Sequence, residues 1–580
     1  MTITEALKVM QSAPPDRRTF SVTLACGFTP LHLQTFLAAH LQQALPERKV
    51  RISTGLYGNL VGTLEGVVGL APDGVVIALE WADLDRRLDF RSAGGWGRNA
   101  ATDIVSSARP VLDRVSAAIA LIPSAIRIAL SLPTLPLPPA FHTPGWEASA
   151  HELALEGYLL RFAADMVRDG RVSVVNRFRL SEASPTASRF DLKSDLHTGL
   201  PYTTRHADRL ASQLALALVP PAPKKGIISD LDETLWSGIV GEMGPEGVRW
   251  DLTSHAHLHG LYQKILSSLS EHGTLIGIAS RNDPAVVAEV FDRRDLLLRP
   301  EQVFPIEVHW NAKSGSVTRI LETWNVAADS VIFVDDSPME LAEVAAVHPG
   351  IECILFPKND YTAGLAMLRR LRDLCGKERV STDDTLRLKS IREGAAFREQ
   401  VAGAANPESF LAQAEATVTF DFGSASEPRV LELVNKTNQF NLNGRRYTES
   451  DWRRLVARPG SLVVSVSYED KFGPLGTIAA LGGVIHGNVF AVEIWVMSCR
   501  AFARRIEYQV LKVLFESTGA YAVDFDFAPT AKNCPLQDFF AGLLGKNPAA
   551  AFQLKRPQFD EKCPALYHTV RDMRRAEAHG

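Results

Sequence analysis

Short apolar runs alternate with helical patterns across the middle of the chain, and this alternation constrains the fold more than any other feature. The runs at 226–230, 274–279 and 331–335 are short enough for buried strands, and stretches of helical periodicity separate them. Parallel strands need long crossover connections, so strands that alternate with helices indicate a doubly wound parallel sheet. The run at 303–308 is a fourth candidate strand, which the internal Pro305 weakens.

Changes in pattern divide the 580-residue chain into three blocks. A proline-rich stretch at 219–225 is typical of a linker, so we predict an α/β domain over 1–218. The middle α/β domain then covers 226–380. A linker helix over 381–407 leads to a third domain over 408–580, where strands precede a helix as in α+β folds.

Composition excludes several classes of protein. The chain is 46% hydrophobic and 22% charged, as in ordinary globular proteins, and its formal charge of -4 gives no reason to expect nucleic acid or an anionic membrane as partner. Its six cysteines show no close pairs and no zinc spacing. The N-terminus lacks a signal-peptide pattern, and Pro123 and Arg127 interrupt the most apolar tract, 115–132. We therefore expect a cytoplasmic protein without a membrane span.

Polar side chains follow the predicted strands of the middle domain where each strand ends. Carboxylates at i and i+2 point to the same side of an extended chain, and the carboxyl ends of parallel strands meet in the crevice where such folds bind ligands. Carboxylates there can share one Mg²⁺, while one attacks phosphorus and another handles the leaving-group proton. An isolated Asp-x-Asp also fits a solvated turn, but the complete set indicates a phosphoryl-transfer site. In chain order the set is Asp230, Asp232, Ser280, Lys313, Asp335 and Asp336.

This order of residues resembles the haloacid dehalogenase (HAD) superfamily of phosphohydrolases. The resemblance implies that Asp230 accepts the phosphoryl group and that Asp232 is the general acid/base. The interval between Asp232 and Ser280 is too short for a large cap domain, so we expect an open, capless site. The implied phosphate-binding residues are Thr234, Ser280, Arg281, Asn282 and Lys313. The implied Mg²⁺ ligands are Asp230, Asp232, Asp335 and Asp336.

The surrounding sequence is similar to the FkbH-like family of polyketide biosynthesis. The similarity lies at 232–242, 332–340, 433–443, 446–447, 470–473 and 497–500. It implies a bifunctional enzyme that takes a glyceryl group from 1,3-bisphosphoglycerate, removes phosphate and loads the acyl group on the phosphopantetheine thiol of an acyl carrier protein. The C-terminal domain would then resemble acyltransferases of the GNAT type. The family pattern more often has Asn where Glu233 stands.

Cys499 lies between a predicted strand and the helix predicted to begin near Arg504. The helix dipole, together with Arg500 and Arg504, would lower the pKa of this thiol. One hypothesis is therefore that Cys499 carries the acyl group before the carrier protein takes it; the alternative is a small buried core residue. Asn438 and Phe440, with the two arginines, are the candidates for binding the acyl group or the pantetheine. The alternative for this amide-rich stretch is a helix end and turn.

The N-terminal domain of longer FkbH-like proteins resembles an SGNH-type hydrolase. That fold requires Gly-Asp-Ser after the first strand and Asp-x-x-His near the end of the domain. Here Cys26 and Gly27 stand at the first position, and Asp195 is followed by His197 at the wrong spacing. Because nucleophile and base are missing, we interpret this block as a degenerate, non-catalytic docking or dimerising domain.

Two other interpretations of the whole chain stay open. The protein could be a capless phosphatase whose C-terminal domain transfers a different acyl group, for example in glycan assembly. It could also be a docking scaffold for a carrier protein, with a vestigial active site. The order of dephosphorylation and acyl transfer is open as well, because a thiolate can attack an acyl phosphate at carbon and release phosphate without the aspartates.

Overall fold

The computed structural model divides the chain into two compact units, Met1–Ala222 and Pro223–Gly580. The boundary falls within the proline-rich stretch at 219–225. The residues that the structure describes are 1–12, 18–92, 96–97, 100–377, 380, 384, 387–389, 391–395, 407–422, 428–437, 439–471, 473–498, 501–502, 504–530 and 533–572. Among them, every helix is too short or too polar to cross a membrane.

The first unit is built around a five-stranded parallel sheet. Its strands are β1 Thr19–Ala25, β2 Lys49–Thr54, β3 Gly74–Ala78, β4 Arg127–Ser131 and β5 Val172–Val174. They lie in the order β2-β1-β3-β4-β5. Every residue of β3 is buried, as expected for a central strand covered by helices on both faces.

Helices cover both faces of this sheet. They are α1 Ile3–Gln11, α2 Leu31–Ala44, α3 Leu60–Leu70, α4 Trp81–Leu84, α5 Ala100–Leu121, α6 Ala150–Val167, α7 Arg177–Ala183, α8 Leu192–Thr198 and α9 Thr204–Leu218. Apolar side chains of α2 and α9 form one core with the sheet, and those of α3, α5 and α6 form the other. The proline-rich stretch at 133–144 lies in the connection between β4 and α6.

The second unit begins with another five-stranded parallel sheet. Its strands are β6 Gly226–Ser229, β7 Leu275–Ser280, β8 Val303–Val308, β9 Val331–Asp335 and β10 Glu352–Leu355. They lie in the order β10-β9-β6-β7-β8, and the four strands predicted from the sequence are present. Strand β8 is at an edge, where Pro305 is tolerated because one side of the strand needs no ladder hydrogen bonds.

The helices that accompany this sheet are α10 Val240–Met243, α11 His257–Glu271, α12 Pro284–Phe291, α13 Lys313–Trp324, α14 Pro338–Val347 and α15 Tyr361–Cys375. Two of them begin with proline and are capped by the preceding side chain. Asp283 accepts the N–H of Ala285, and Ser337 accepts the N–H of Glu340. A proline at the first position and an Asp or Ser cap are strong helix-start signals, so these helices begin where the sequence predicts.

A mixed sheet follows in the same unit. Its strands are β11 Thr417–Asp421, β12 Phe440–Asn441, β13 Ser461–Asp470, β14 Gly473–His486, β15 Val489–Met497, β16 Ala522–Phe525, β17 Phe552–Lys555 and β18 Thr569–Asp572. The order is β17-β16-β15-β14-β13-β11-β18, and β12 pairs with the end of β15. The helices are α16 Pro407–Ala412, α17 Pro428–Lys436, α18 Glu449–Val456, α19 Ile506–Thr518, α20 Cys534–Leu544 and α21 Arg556–Lys562.

Candidate active site

The carboxyl ends of three neighbouring strands place polar side chains along one edge of the second sheet. Asp230 directly follows β6, Ser280 ends β7 and Asp335 ends β9, and β6 lies between the other two strands. All three residues are buried. The strands are parallel, so residues that are far apart in the sequence meet at the same edge.

Lys313, the first residue of α13, connects two of these carboxylates. Its Nζ lies 3.0 Å from Asp230 Oδ2 and 2.6 Å from Asp335 Oδ2. The lysine is only 5% exposed, so both contacts are made away from bulk water. A buried charge is stable only when it is paired, and this arrangement pairs one ammonium with two carboxylates.

Burial and the charges of neighbouring side chains shift the pKa values of Asp230, Asp335 and Lys313. Burial raises the pKa of Asp230, and the charge of Lys313 opposes that effect. Burial, followed by the charge of Asp230, raises the pKa of Asp335 to about 6. Burial alone would lower the pKa of Lys313, but the two carboxylates raise it above its ordinary value, so the lysine keeps its proton.

Three carboxylates form a cluster that could hold a metal ion. Ligand atoms of Asp230, Asp335 and Asp336 all lie within 4.8 Å of one another. The Oδ1 of Asp230 is buried and has no hydrogen-bond partner among the described residues. A buried carboxylate oxygen without a donor is costly unless a cation binds it, and Mg²⁺ prefers oxygen ligands. The residues present therefore fit a magnesium site.

The carboxylate of Asp232 has different surroundings. Its Oδ1 accepts hydrogen bonds from Trp236 Nε1 at 2.7 Å and from the Val240 N–H at 3.1 Å. Its Oδ2 accepts one from Asn282 Nδ2 at 2.8 Å. Three donors thus fix its orientation. Both side-chain oxygens already accept hydrogen bonds, so a metal ion would have to compete with these donors. The role of Asp232 as a metal ligand stays a prediction.

The other predicted phosphate-binding residues are placed differently from one another. Thr234 is buried and donates from Oγ1 to Asp336 at 3.4 Å. Arg281 lies 3.0 Å from Glu340 and 3.3 Å from Glu343, so its guanidinium is paired with carboxylates of α14. The roles of Thr234, Ser280, Arg281 and Asn282 toward phosphate stay predictions.

Lys358 is a residue of this site that the sequence did not reveal. It follows β10, and its Nζ contacts Asp336 Oδ2 and lies 3.5 Å from Glu233 Oε2. Strand β10 was not predicted, and without it nothing connects Lys358 with the acidic cluster. The apolar run at 351–356, which ends at a proline, is the signal that indicates this strand.

The segment between β6 and β7 is short. Its regular elements are α10 and α11, and an isolated antiparallel bridge joins Ser237 to Arg249. Glu233 Oε1 accepts the Gly238 N–H at 2.6 Å, which ties the start of this segment to the strand end. Residues 236–250 form a small flap that begins at this strand end, and α11 packs in the core with the sheet.

The predicted acyl-binding residues are only partly described. Asn438, Cys499 and Arg500 lie outside the described residues. Phe440 is buried among aromatic rings, 5.2 Å from Trp495 and 6.2 Å from Phe502 between ring centroids. Its predicted contact with a ligand stays a prediction.

Arg504 and the amide-rich stretch are engaged within the same domain. Arg504 is 2% exposed, lies 3.5 Å from the carboxylate of Asp470 and stacks over the Tyr468 ring. Asn435 exchanges two hydrogen bonds of 2.8 Å with the backbone of Tyr447. Asn441 accepts the backbone N–H of Gly444 at 2.8 Å, and these amides therefore stabilise the turn after α17.

In the first unit, Cys26, Asp195 and His197 lie at or near the positions where an SGNH-type hydrolase carries its nucleophile and base. Cys26 is buried, and burial raises the pKa of its thiol to about 12, so the thiol stays protonated. Asp195 is buried while His197 is exposed. A protonated thiol is a poor nucleophile. The non-catalytic interpretation of this unit stays a prediction.

No protein-family profile matches the chain, and no curated protein matches it. Among solved structures, the chain is similar to the N-terminal part of the protein BF1531 from Bacteroides fragilis, which contains a phosphatase domain and is complexed with Mg. The two are 18% identical, the match covers 63% of this chain and 98% of that chain, and the TM-score is 0.50.

Two other solved structures are less similar to the chain. An uncharacterized protein from Corynebacterium glutamicum is 13% identical, with 27% of this chain and 98% of that chain covered and a TM-score of 0.20. An extracellular lipase from Streptomyces rimosus is 13% identical, with 34% and 99% covered and a TM-score of 0.24. Of these similarities, the one to the Bacteroides fragilis protein shows a shared fold, that of a protein with a phosphatase domain.

Proposed function

We propose that this protein is an Mg²⁺-dependent, HAD-type phosphatase of the FkbH-like family, coupled to an acyltransferase that loads a glyceryl group on an acyl carrier protein. The observation that carries the phosphatase half is the buried group of Asp230, Lys313 and Asp335, in which Asp230 keeps one carboxylate oxygen without a partner. The fold shared with the Bacteroides fragilis protein, whose phosphatase domain is complexed with Mg, supports the same half.

Two carboxylates divide the phosphatase chemistry. The Asp230 carboxylate attacks phosphorus, and the bond from phosphorus to the leaving oxygen breaks as Asp232 donates a proton to that oxygen. Asp232 then takes a proton from water, which attacks the phosphorylated Asp230 and releases phosphate. Mg²⁺ held by Asp230, Asp335 and Asp336 would neutralise charge on the phosphoryl oxygens. Lys313 favours the ionised form of Asp230, against the effect of burial, and fixes its orientation.

The transferase half rests on the sequence resemblance of the C-terminal domain. The parallel pair β15 and β16, joined through α19, supports it, because a strand end that leads to a helix start presents backbone N–H groups to an anionic ligand. The proposed donor is 1,3-bisphosphoglycerate, and the proposed acceptor is the phosphopantetheine thiol of the carrier protein. Cys499 is the proposed carrier of the acyl group between them.

Phosphate release tests the first half. Wild type is incubated with Mg²⁺ and 1,3-bisphosphoglycerate generated in place, and free phosphate is measured. We expect Asp230→Asn to reduce release by about 1000-fold or more when both proteins also carry Cys499→Ala, which removes the thiol route to phosphate, because the attacking group is lost. Asp329→Asn, an exposed carboxylate of the same unit, is the control and should release phosphate normally. Equal release with and without Asp230→Asn in the Cys499→Ala background would refute the assignment.

Intact-protein mass spectrometry of the same mixtures tests the second half. A glyceryl-sized gain that hydroxylamine removes and that Cys499→Ala lacks would support the thioester route. A gain that persists in Cys499→Ala would keep the substrate and exclude the cysteine. Phosphate release without any gain, and without transfer to a carrier protein, would exclude glyceryl transfer.

A further inference from the structure

In Asp336, as in Asp335, both carboxylate oxygens are already in contact with other groups. Thr234 donates to Asp336 Oδ1 at 3.4 Å, and the ammonium of Lys358 contacts Asp336 Oδ2. Asp230, in contrast, keeps its Oδ1 without a partner among the described residues. A metal ion that uses Asp336 Oδ2 as a ligand must therefore compete with the ammonium of Lys358.

Glu233 offers Lys358 a second acceptor. Its Oε2 already lies 3.5 Å from Lys358 Nζ, so a small movement of the flexible lysine side chain would shift the ammonium from Asp336 to Glu233. Both Lys358 and Glu233 are about one-third exposed, which leaves the lysine room for this movement.

The backbone of Glu233 gives an independent reason to assign it a role. Glu233 has a φ of 57°, in the left-handed region that glutamate rarely adopts. Its Oε1 accepts the Gly238 N–H at 2.6 Å, so the carboxylate is held between the flap and Lys358. A residue kept in an unfavourable conformation beside an active site points to a function.

We propose that Lys358 occupies the metal's place at Asp336 and that Glu233 receives the lysine when Mg²⁺ binds. The exchange exposes Asp336 Oδ2 to the metal without leaving a lysine unpaired. Lys358 and Glu233 are positioning residues in this scheme, since they act through Asp336. The inference rests on the magnesium site of the proposed function, but it concerns metal loading and not the reaction.

Mg²⁺ affinity of the full chain, measured by isothermal titration calorimetry, is the readout. Lys358→Met removes the competitor, and we expect Mg²⁺ to bind about tenfold more tightly. Glu233→Gln removes the second acceptor, so we expect about tenfold weaker binding. Lys264→Met, on the exposed face of α11, is the matched control and should bind as wild type. Lys358→Gln replaces Lys358→Met if the latter lowers the melting temperature.

The double variant separates an exchange of partners from simple charge effects. If Glu233 acts by receiving Lys358, Glu233→Gln should change Mg²⁺ affinity by less than twofold in the Lys358→Met background. Independent charge effects would instead add, and an undiminished effect of Glu233→Gln in that background would overturn the proposal. Weaker Mg²⁺ binding by Lys358→Met would overturn it too, because it would mean that the lysine orients Asp336 for the metal.

The same proteins distinguish this inference from the proposed function. Phosphate release from 1,3-bisphosphoglycerate is measured separately for each variant. The expected pattern of affinities in a protein that releases no phosphate would support metal loading by exchange and refute the phosphatase assignment. Absence of Mg²⁺ binding by wild type would refute both.

Discussion

Lys313 is the residue on which the charge balance of the candidate site depends. Its ammonium is shared by Asp230 and Asp335, and all three side chains are buried. Removing one partner of a buried ion pair leaves an uncompensated charge and commonly costs several kcal/mol. The two carboxylates would then repel each other directly across the site.

We therefore expect Lys313→Met to lower the free energy of unfolding by about 3 kcal/mol and to abolish phosphate release. Adding Asp335→Asn should restore part of the stability, because it removes one of the unpaired charges, while activity stays lost. Urea unfolding and a phosphate assay measure the two effects. Full stability of the single variant would contradict this charge balance.

His206 shows how a buried titratable group links folding to pH in the first unit. Its Nε2 lies 2.9 Å from Thr134 Oγ1 and its Nδ1 3.0 Å from Ser184 Oγ, and the side chain is fully buried. Burial lowers the pKa of His206 to about 3, whereas an unfolded histidine has a pKa of about 6.5. Between these values the unfolded chain binds the additional proton, so this contribution to stability is complete above pH 6.5 and is lost as pH falls toward 3.

Replacing His206 with Gln removes this proton linkage. Between pH 6 and pH 4 we expect wild type to lose about 1 kcal/mol of stability per pH unit more than His206→Gln. The comparison requires equilibrium unfolding of both proteins at several pH values, because other groups titrate in the same range. Parallel stability profiles would show that His206 is already protonated in the folded state.

At the scale of the elements, the packing of α13 against the sheet positions Lys313. Trp324 ends this helix, is buried and donates from Nε1 to the Phe304 carbonyl at 2.6 Å. A Cβ at Gly226 would lie 2.4 Å from the Trp324 ring, and one at Gly277 would lie 2.8 Å from it. Two strand glycines thus allow the helix to approach β6 and β7 closely.

Gly226→Ala should consequently displace the Trp324 ring and the helix that carries Lys313. We expect a loss of about 1–3 kcal/mol in stability together with slower phosphate release. Gly241→Ala is the control, since no atom lies within 4 Å of its added Cβ. Thermal unfolding and phosphate release are measured for both variants. If Gly226→Ala and Gly241→Ala gave identical results, the close approach of Trp324 to Gly226 would be refuted.

At the scale of the whole molecule, each compact unit contains its own hydrophobic cores. The cores of the first unit enclose its five-stranded sheet, and the second unit has cores around its parallel sheet and around its mixed sheet. A unit that buries its apolar side chains internally can fold by itself. The residues of the acidic cluster all belong to the second unit.

A fragment of residues 223–580 should therefore fold and keep the Mg²⁺-dependent phosphate release of the full chain within about twofold. Circular dichroism and the phosphate assay check the two parts of this prediction. A folded fragment without activity would show that the first unit contributes to the phosphatase reaction and is more than a docking or dimerising domain.

The strand ends of the middle domain were predictable, and so was the meeting of Asp230, Lys313 and Asp335. Apolar runs of strand length, separated by helices with proline starts, specify a parallel sheet, and such a sheet brings its carboxyl ends to one edge. Strand β8 was also predictable despite Pro305. Strand β10 was missed, and with it the position of Lys358.

The sequence by itself determined most strands and helices of the middle domain and the chemical types at the ends of those strands, because side-chain periodicity and caps act over a few residues. Only the tertiary structure decided which partners those side chains take. The pairing of Arg281 with Glu340 and the burial of Arg504 beside Asp470 are examples. The contact of Lys358 with Glu233 spans more than a hundred residues of chain, and such contacts depend on distances in space that no local pattern encodes.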